Sequence, residues 1–209
     1  MFTEALHTKT KSLLEEIGRL KIQDDFYLAG GTALALQLGH RVSVDLDFFS
    51  KDKIHTKSLK ENLINSGFKY HITNETTGTL DLIIENVKVS FLEYKYPLLN
   101  DLIPYNGINI CSNLDIACMK ITAISSRGSK KDFYDIWILL QEYSLTDIFD
   151  ALRKKYTGVE YSTAHLLKSL TYFKDAESEP EPVMISNTSW EQVKKDITKK
   201  VTQESKLII

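Results

Sequence analysis

"LAGGTALALQLGHRVSVDLDFFS", residues 28–50, decides how the rest of the chain is read. A short apolar run ends in Gly30-Gly31, an Ala/Leu-rich segment follows as far as Gly39, and an alternating segment then carries Asp45 and Asp47. The alternation predicts a strand in which Val42, Val44, Leu46 and Phe48 face the core and Ser43, Asp45, Asp47 and Phe49 face the other way. Two carboxylates on one strand face repel, so the pattern asks for a positive charge between them. Magnesium answers that need, because it binds through one or two carboxylates and completes its shell with water and substrate phosphates. The glycine pair fits the same chemistry. Backbone without side chains lets a phosphate chain come close, and a helix starting near Thr32 aims its open N–H groups at an anion. The Thr32 hydroxyl adds a donor. A plain glycine turn followed by surface acids is the bland alternative.

Moving outward, 209 residues with 43% apolar and 26% charged side chains describe an ordinary soluble globule, and a net charge of -2 gives no support to a broadly basic nucleic-acid binder. Local basic groups stand at Lys51, Lys53, Lys57 and Lys60, at Lys130 and Lys131, and at Arg153, Lys154 and Lys155. Cys111 and Cys118 form no CxxC pair, which argues against zinc and fits a reduced compartment. The first residues carry charges throughout, and no apolar stretch approaches the roughly 20 residues that cross a bilayer. A cytoplasmic protein without a membrane partner is the expectation.

Periodicity predicts a helix over 2–20, a strand over 26–29, a helix closed by Gly39, the acidic strand, and a helix over 55–66 stopped by Gly67. Three more strands follow, the last two joined as a hairpin across Glu85-Asn86. Pro97 and Pro104 punctuate an irregular link before a short strand in "INICS". Beyond it the patterns are helical, interrupted by the polar linker "KDAESEPEP" at 174–182. The expectation is an α+β protein: a mixed-sheet core over 1–112 with flanking helices, then a helical region over 113–209 that completes a nucleotide cleft.

"AGGTALALQLGHRVSVDLDFF" resembles the opening motif of the AbiEii-type proteins, nucleotidyltransferases of the DNA polymerase β-like superfamily that include toxins of type IV toxin–antitoxin systems. About 70 residues later, "KITAISSRGSKKDFYDIWILL" resembles that family's K-x-x-A…R…(K/R)-D-x-x-D signature, with Lys120, Ala123, Arg127, Lys131, Asp132 and Asp135 on the motif positions. The resemblance implies a nucleotidyltransferase-like fold. It implies magnesium or manganese on Asp45 and Asp47, an NTP triphosphate on Gly30, Gly31 and Thr32, and nucleotide contacts from Lys120 and Asp135; Arg127 reads equally as a phosphate contact or as a cap near the helix C-terminus. It also implies transfer of a nucleoside monophosphate to an RNA (tRNA for some members) or protein hydroxyl, and a cognate antitoxin as regulator.

One position departs from the family pattern. A third acid is expected in "VKVSFLEY", where Ser90 stands. The hairpin pairing places Asp81 directly opposite Ser90, on the same face, as a compensating acid. A solvated strand acid is the alternative, and Glu93 falls on the other face. Arg41 either meets the phosphates or neutralises Asp45 and Asp47. Asp132, and equally Asp135, has a second reading as an ion-pair partner of Lys120 or Arg127 between two helices. With Ser90 in place of an acid, a nucleotide- or RNA-binding module without transfer is the rival function. A phosphatase built on Asp-x-Asp lacks its usual hydroxyl residue at Phe49 and leaves the glycine turn without a role.

Overall fold

The structure, a computed structural model, describes residues 1–20 and 22–208. It is an α+β protein in which a mixed sheet with flanking helices is followed by a helical region. Among the described residues, the strands β1 (Tyr27–Ala29), β2 (Leu46–Ser50), β3 (Tyr70–Thr76), β4 (Thr79–Ile84), β5 (Val87–Glu93), β6 (Ile103–Tyr105) and β7 (Ile108–Ile110) form one sheet in the order β3-β4-β5-β2-β1-β7-β6. The pairs β1–β7 and β2–β5 are parallel, and the others are antiparallel. Helices α1 (Thr8–Gly18), α2 (Gly30–Leu38) and α3 (Thr56–Asn65) accompany the strands.

Period-two alternation explains the sheet core. Leu46 and Phe48 of β2 pair with Val89 and Phe91 of β5, which pair in turn with Leu82 and Leu80 of β4, and all six are buried. The Phe48 and Phe91 rings stack at 5.4 Å, with Phe26 edge-on to Phe91 at 5.1 Å. Glu85 and Asn86 both take positive φ, 52° and 68°, the geometry that turns a two-residue hairpin without splaying its strands.

The sequence reading of β2 starts too early. Its strand begins at Leu46, Val44 is 52% exposed, and Ser43 is buried. Residues 43–45 follow the N-terminal segment instead: Ser43 N–H donates to the Ala5 carbonyl at 2.8 Å, and Thr10 Oγ1 donates to the Val44 carbonyl at 2.8 Å. The link between prolines also contains a strand that periodicity missed, β6, which turns into β7 through Asn106 and Gly107 at φ 46° and 78°.

Two compact units divide the chain: residues 1–97 with 101–111, and residues 98–100 with the chain from 112 onward. The second contains α4 (Asn113–Ser126), α5 (Lys130–Glu142), α6 (Leu145–Lys155), α7 (Thr163–Ser169), the one-turn α8 (Lys174–Glu177) and α9 (Trp190–Ile208). Ser112, Ser144 and Ser162 cap their helices by accepting a backbone N–H three residues on. The stretch read as a linker at 174–182 is held in place. Lys130, expected in a surface basic group, is buried; its Nζ donates to the Glu179 carbonyl at 2.6 Å and its backbone N–H to Glu179 Oε2 at 2.7 Å. Lys155, read into another basic group, is fully buried against Asp115 Oδ1 at 2.6 Å.

Candidate functional site

β1 passes into α2 without a loop. Ala29 is extended and Gly30 takes φ +69°, a conformation that L side chains rarely adopt. The β1–β2 register sets Ala29 opposite Asp47, so the glycine turn opens against that acid. A Cβ on Gly30 would lie 3.0 Å from Asp47 Oδ2. The N-cap position is Ala29, which offers no side-chain acceptor to the first turn of α2. Gly30, Gly31, Asp45 and Asp47 are each partly exposed.

Thr32 has partners within the protein. It is buried, its hydroxyl bonds the Ser43 hydroxyl at 2.8 Å and donates to the Asp45 carbonyl, and so it fixes the backbone beneath Asp45. Arg41, expected at the phosphates or on the acids, is 4% exposed and donates from Nη1 to the Val42 carbonyl at 3.2 Å. That bond ties its guanidinium to the segment leading to Asp45.

Asp47 belongs to a row that crosses five strands in register: Ala29, Asp47, Ser90, Asp81 and Asn74. In-register residues share a sheet face, so Asp81 and Asp47 point the same way with the buried Ser90 between them. At about 4.8 Å per strand step the two backbones stand about 10 Å apart. Asp81 Oδ2 accepts a bond from Asn74 Nδ2 at 3.1 Å. Among the described residues, no group of three His, Cys, Asp or Glu comes together to hold a metal ion. Asp45 and Asp47 supply hard oxygen donors, and the missing Cβ of Gly30 leaves space beside one of them. Such a set fits magnesium or manganese that keeps waters and shares a nucleotide's phosphate oxygens, not an all-protein cage. Two residues along β2, on the face of Asp47, Phe49 stacks on Tyr27 at 6.0 Å and meets Tyr94 edge-on at 5.5 Å. The strand reading had put Phe49 on that face without assigning it a role; the aromatic row depends on the register of β1 and on Tyr94, beyond β5.

In the helical unit the second motif closes on itself. Lys120 Nζ lies 2.7 Å from Asp132 Oδ1 and 2.5 Å from Asp135 Oδ2, both carboxylates fully buried. Arg127 Nε donates to Asp132 Oδ2 at 3.0 Å, and Ser129 Oγ donates to the same oxygen at 2.9 Å. Burial pushes the Asp132 carboxyl up, but the Lys120 and Arg127 charges outweigh it and hold the group below the usual carboxylate range. The ion-pair reading of Asp132 and Asp135 with Lys120 is the arrangement present. Lys120 and Asp135 form a buried tie between α4 and α5. The Arg127 side chain remains 62% exposed.

A relative from Aquifex aeolicus (strain VF5), the uncharacterized protein aq_aa25, is 38% identical over 211 residues, covering 95% of this chain and 97% of its own. Two crystal structures from Helicobacter pylori share the fold. One, proposed to be a nucleotidyltransferase, matches with TM-score 0.63 at 18% identity, covering 96% of this chain and 95% of its own. The other, JHP933, matches with TM-score 0.59 at 18% identity, covering 96% and 92%. The family described as nucleotidyl transferase AbiEii toxin, type IV TA system, matches over residues 12–98 and 62–205; the chain belongs to that family, within the DNA polymerase β-like nucleotidyltransferase superfamily.

Proposed function

We propose that this chain moves a nucleoside monophosphate from an NTP to a hydroxyl of RNA, tRNA included, or of protein, and acts as a toxin held in check by a cognate antitoxin. One observation carries the reading: at Gly30 a left-handed glycine leaves open the space that a Cβ would occupy 3.0 Å from the Asp47 carboxylate. In this reading the N–H groups of Gly30 and Gly31 bind the triphosphate, as open helix N-termini do. Asp45 and Asp47 hold magnesium, which when bound polarises the phosphate and lowers the pKa of a coordinated hydroxyl. The acceptor hydroxyl gives its proton to water and its oxygen attacks the α-phosphorus in line; that bond forms as the bond to the bridging oxygen breaks, and pyrophosphate leaves. Thr32 positions Asp45 through its carbonyl.

The test is a screen of four α-labelled NTPs against total RNA and total protein with magnesium, comparing the parent with Asp47→Asn. Labelling by the parent and background from the variant is the expected result; equal labelling by both sinks the reading.

A second reading has its own support. Ser90 pairs with Asp47 on β5 where the family pattern expects an acid, which favours a module that binds nucleotide and transfers nothing. NTP binding by the parent with no label in any fraction would select it.

A further inference from the structure

Arg127, His165, Lys168 and Tyr172 line one open cavity of about 290 Å³ within the helical unit. His165 and Lys168 are three apart on α7, and Tyr172 follows four residues later, so the three share one side of that segment. All four side chains are exposed. Arg127 is held at Nε by the buried Asp132 while 62% of its side chain faces solvent, so its guanidinium is oriented before anything binds. One carboxylate, Asp175, lines the same cavity and leaves the cations in excess.

Ser125, Ser126 and Ser169 line the same cavity. Ser125 Oγ donates to the Thr122 carbonyl at 2.9 Å, Ser126 Oγ to the Ala123 carbonyl at 3.0 Å, and Ser169 Oγ to the His165 carbonyl at 2.9 Å. With their protons committed to the helices, these oxygens offer lone pairs to the cavity. The ligand that suits it carries anions for Arg127 and Lys168, a flat ring for Tyr172, and hydroxyl or amine donors for the serines. RNA meets all three demands with phosphate, base and 2′-OH. A duplex hides its base faces from Tyr172, whereas a single strand presents them. An acidic peptide brings anions and backbone N–H donors but no base for Tyr172.

We infer that this cavity binds single-stranded RNA, a phosphodiester on Arg127 and Lys168 and a base stacked on Tyr172. The site deepens the proposed function, resting on its RNA branch: it anchors the acceptor strand.

The test measures fluorescence anisotropy of a labelled single-stranded RNA dodecamer on the full chain, without nucleotide. Tyr172→Ala weakens binding about fivefold or more, the low end of a lost base stack, and Tyr172→Phe restores it. Lys168→Gln lowers the slope of log K against log salt by about 0.7, one phosphate contact on a single strand, while Lys57→Gln on α3 leaves the slope unchanged. Asp47→Asn binds RNA as the parent does, which separates this site from the transfer chemistry. No binding by the parent, equal binding by Tyr172→Ala and the parent, or displacement of the RNA by oligoglutamate at equal charge would each overturn the assignment. NTP labelling by a parent that fails these tests leaves the proposed function standing.

Discussion

Gly30 and Thr32 stand two residues apart and do different work, and single substitutions separate them. In Gly30→Ala the new methyl group is forced into φ +69°, a cost of about 1–2 kcal/mol, and presses on Asp47 Oδ2. Urea unfolding should register that loss. Nucleotide transfer should fall further, by about 10²-fold, because a displaced carboxylate loses alignment with its substrate. Thr32→Val keeps the shape and removes the hydroxyl, leaving the Asp45 carbonyl and the buried Ser43 hydroxyl each short of a partner at about 1–3 kcal/mol. Stability should drop and the KM for NTP should hold, with Thr32→Ser recovering the stability. A raised KM at unchanged stability would return Thr32 to the phosphate. The approach of Gly30 to an acid was legible, since a glycine pair between strand and helix followed by aspartates is a local pattern. The task of Thr32 was not. A hydroxyl in the first turn suits a phosphate and a buried loop equally, and the choice is made by residues 43–45 folding over it.

Between elements, the tie of Lys120 to Asp132 and Asp135 joins α4 to α5, and removing its cation leaves two buried carboxylates with less to balance them. Lys120→Met should cost about 3–5 kcal/mol near neutral pH, measured by urea unfolding. The pH dependence carries the sign. In the parent, Asp132 sits below its ordinary value of 3.8, so the stability it contributes is present above that value and is lost as the pH falls through the lower folded value. Without Lys120, Asp132 keeps only Arg127 against its burial and takes up its proton at higher pH than in the parent, so the deficit against the parent should shrink as the medium is acidified. A deficit that stays constant from pH 7 to pH 4 would mean that the loss is one of packing. The second motif's spacing already brought these residues to facing helices, but sequence left open whether they met each other or a nucleotide. Other elements turned on signals of different strength. The Glu85-Asn86 hairpin was legible because apolar alternation on both sides fixes its register. The Asn106-Gly107 hairpin carries the stronger turn dipeptide, yet Pro104 inside a three-residue edge strand masked it. β2 misled at its start because Val42 and Val44 keep the alternation while the backbone there pairs with residues 5–7 instead.

At the scale of the whole molecule, the chain enters the helical unit for residues 98–100, leaves it for 101–111, and returns at 112. A three-residue visit has no periodicity to betray it; one buried side chain accounts for it. Asp115 is fully buried and accepts from the Leu99 N–H at 3.0 Å, the Asn100 N–H at 3.3 Å, the Ser112 hydroxyl at 2.7 Å and Lys155 Nζ at 2.6 Å. An isolated buried ion pair can be exchanged for apolar residues at little cost. This one cannot, because a hydrocarbon at 115 leaves the amides of Leu99 and Asn100 without their acceptor. Lys155→Met alone should cost about 3–5 kcal/mol in urea unfolding of the full chain. The paired change Asp115→Leu with Lys155→Met should recover only part of that, since each orphaned amide keeps a penalty of about 1–3 kcal/mol. Brief native-state digestion with chymotrypsin should then cut the paired variant at Leu98 and Leu99 faster than it cuts Lys155→Met, in which the amides still have Asp115. Equal cutting rates in the two variants would mean that residues 98–100 are held by something other than this carboxylate.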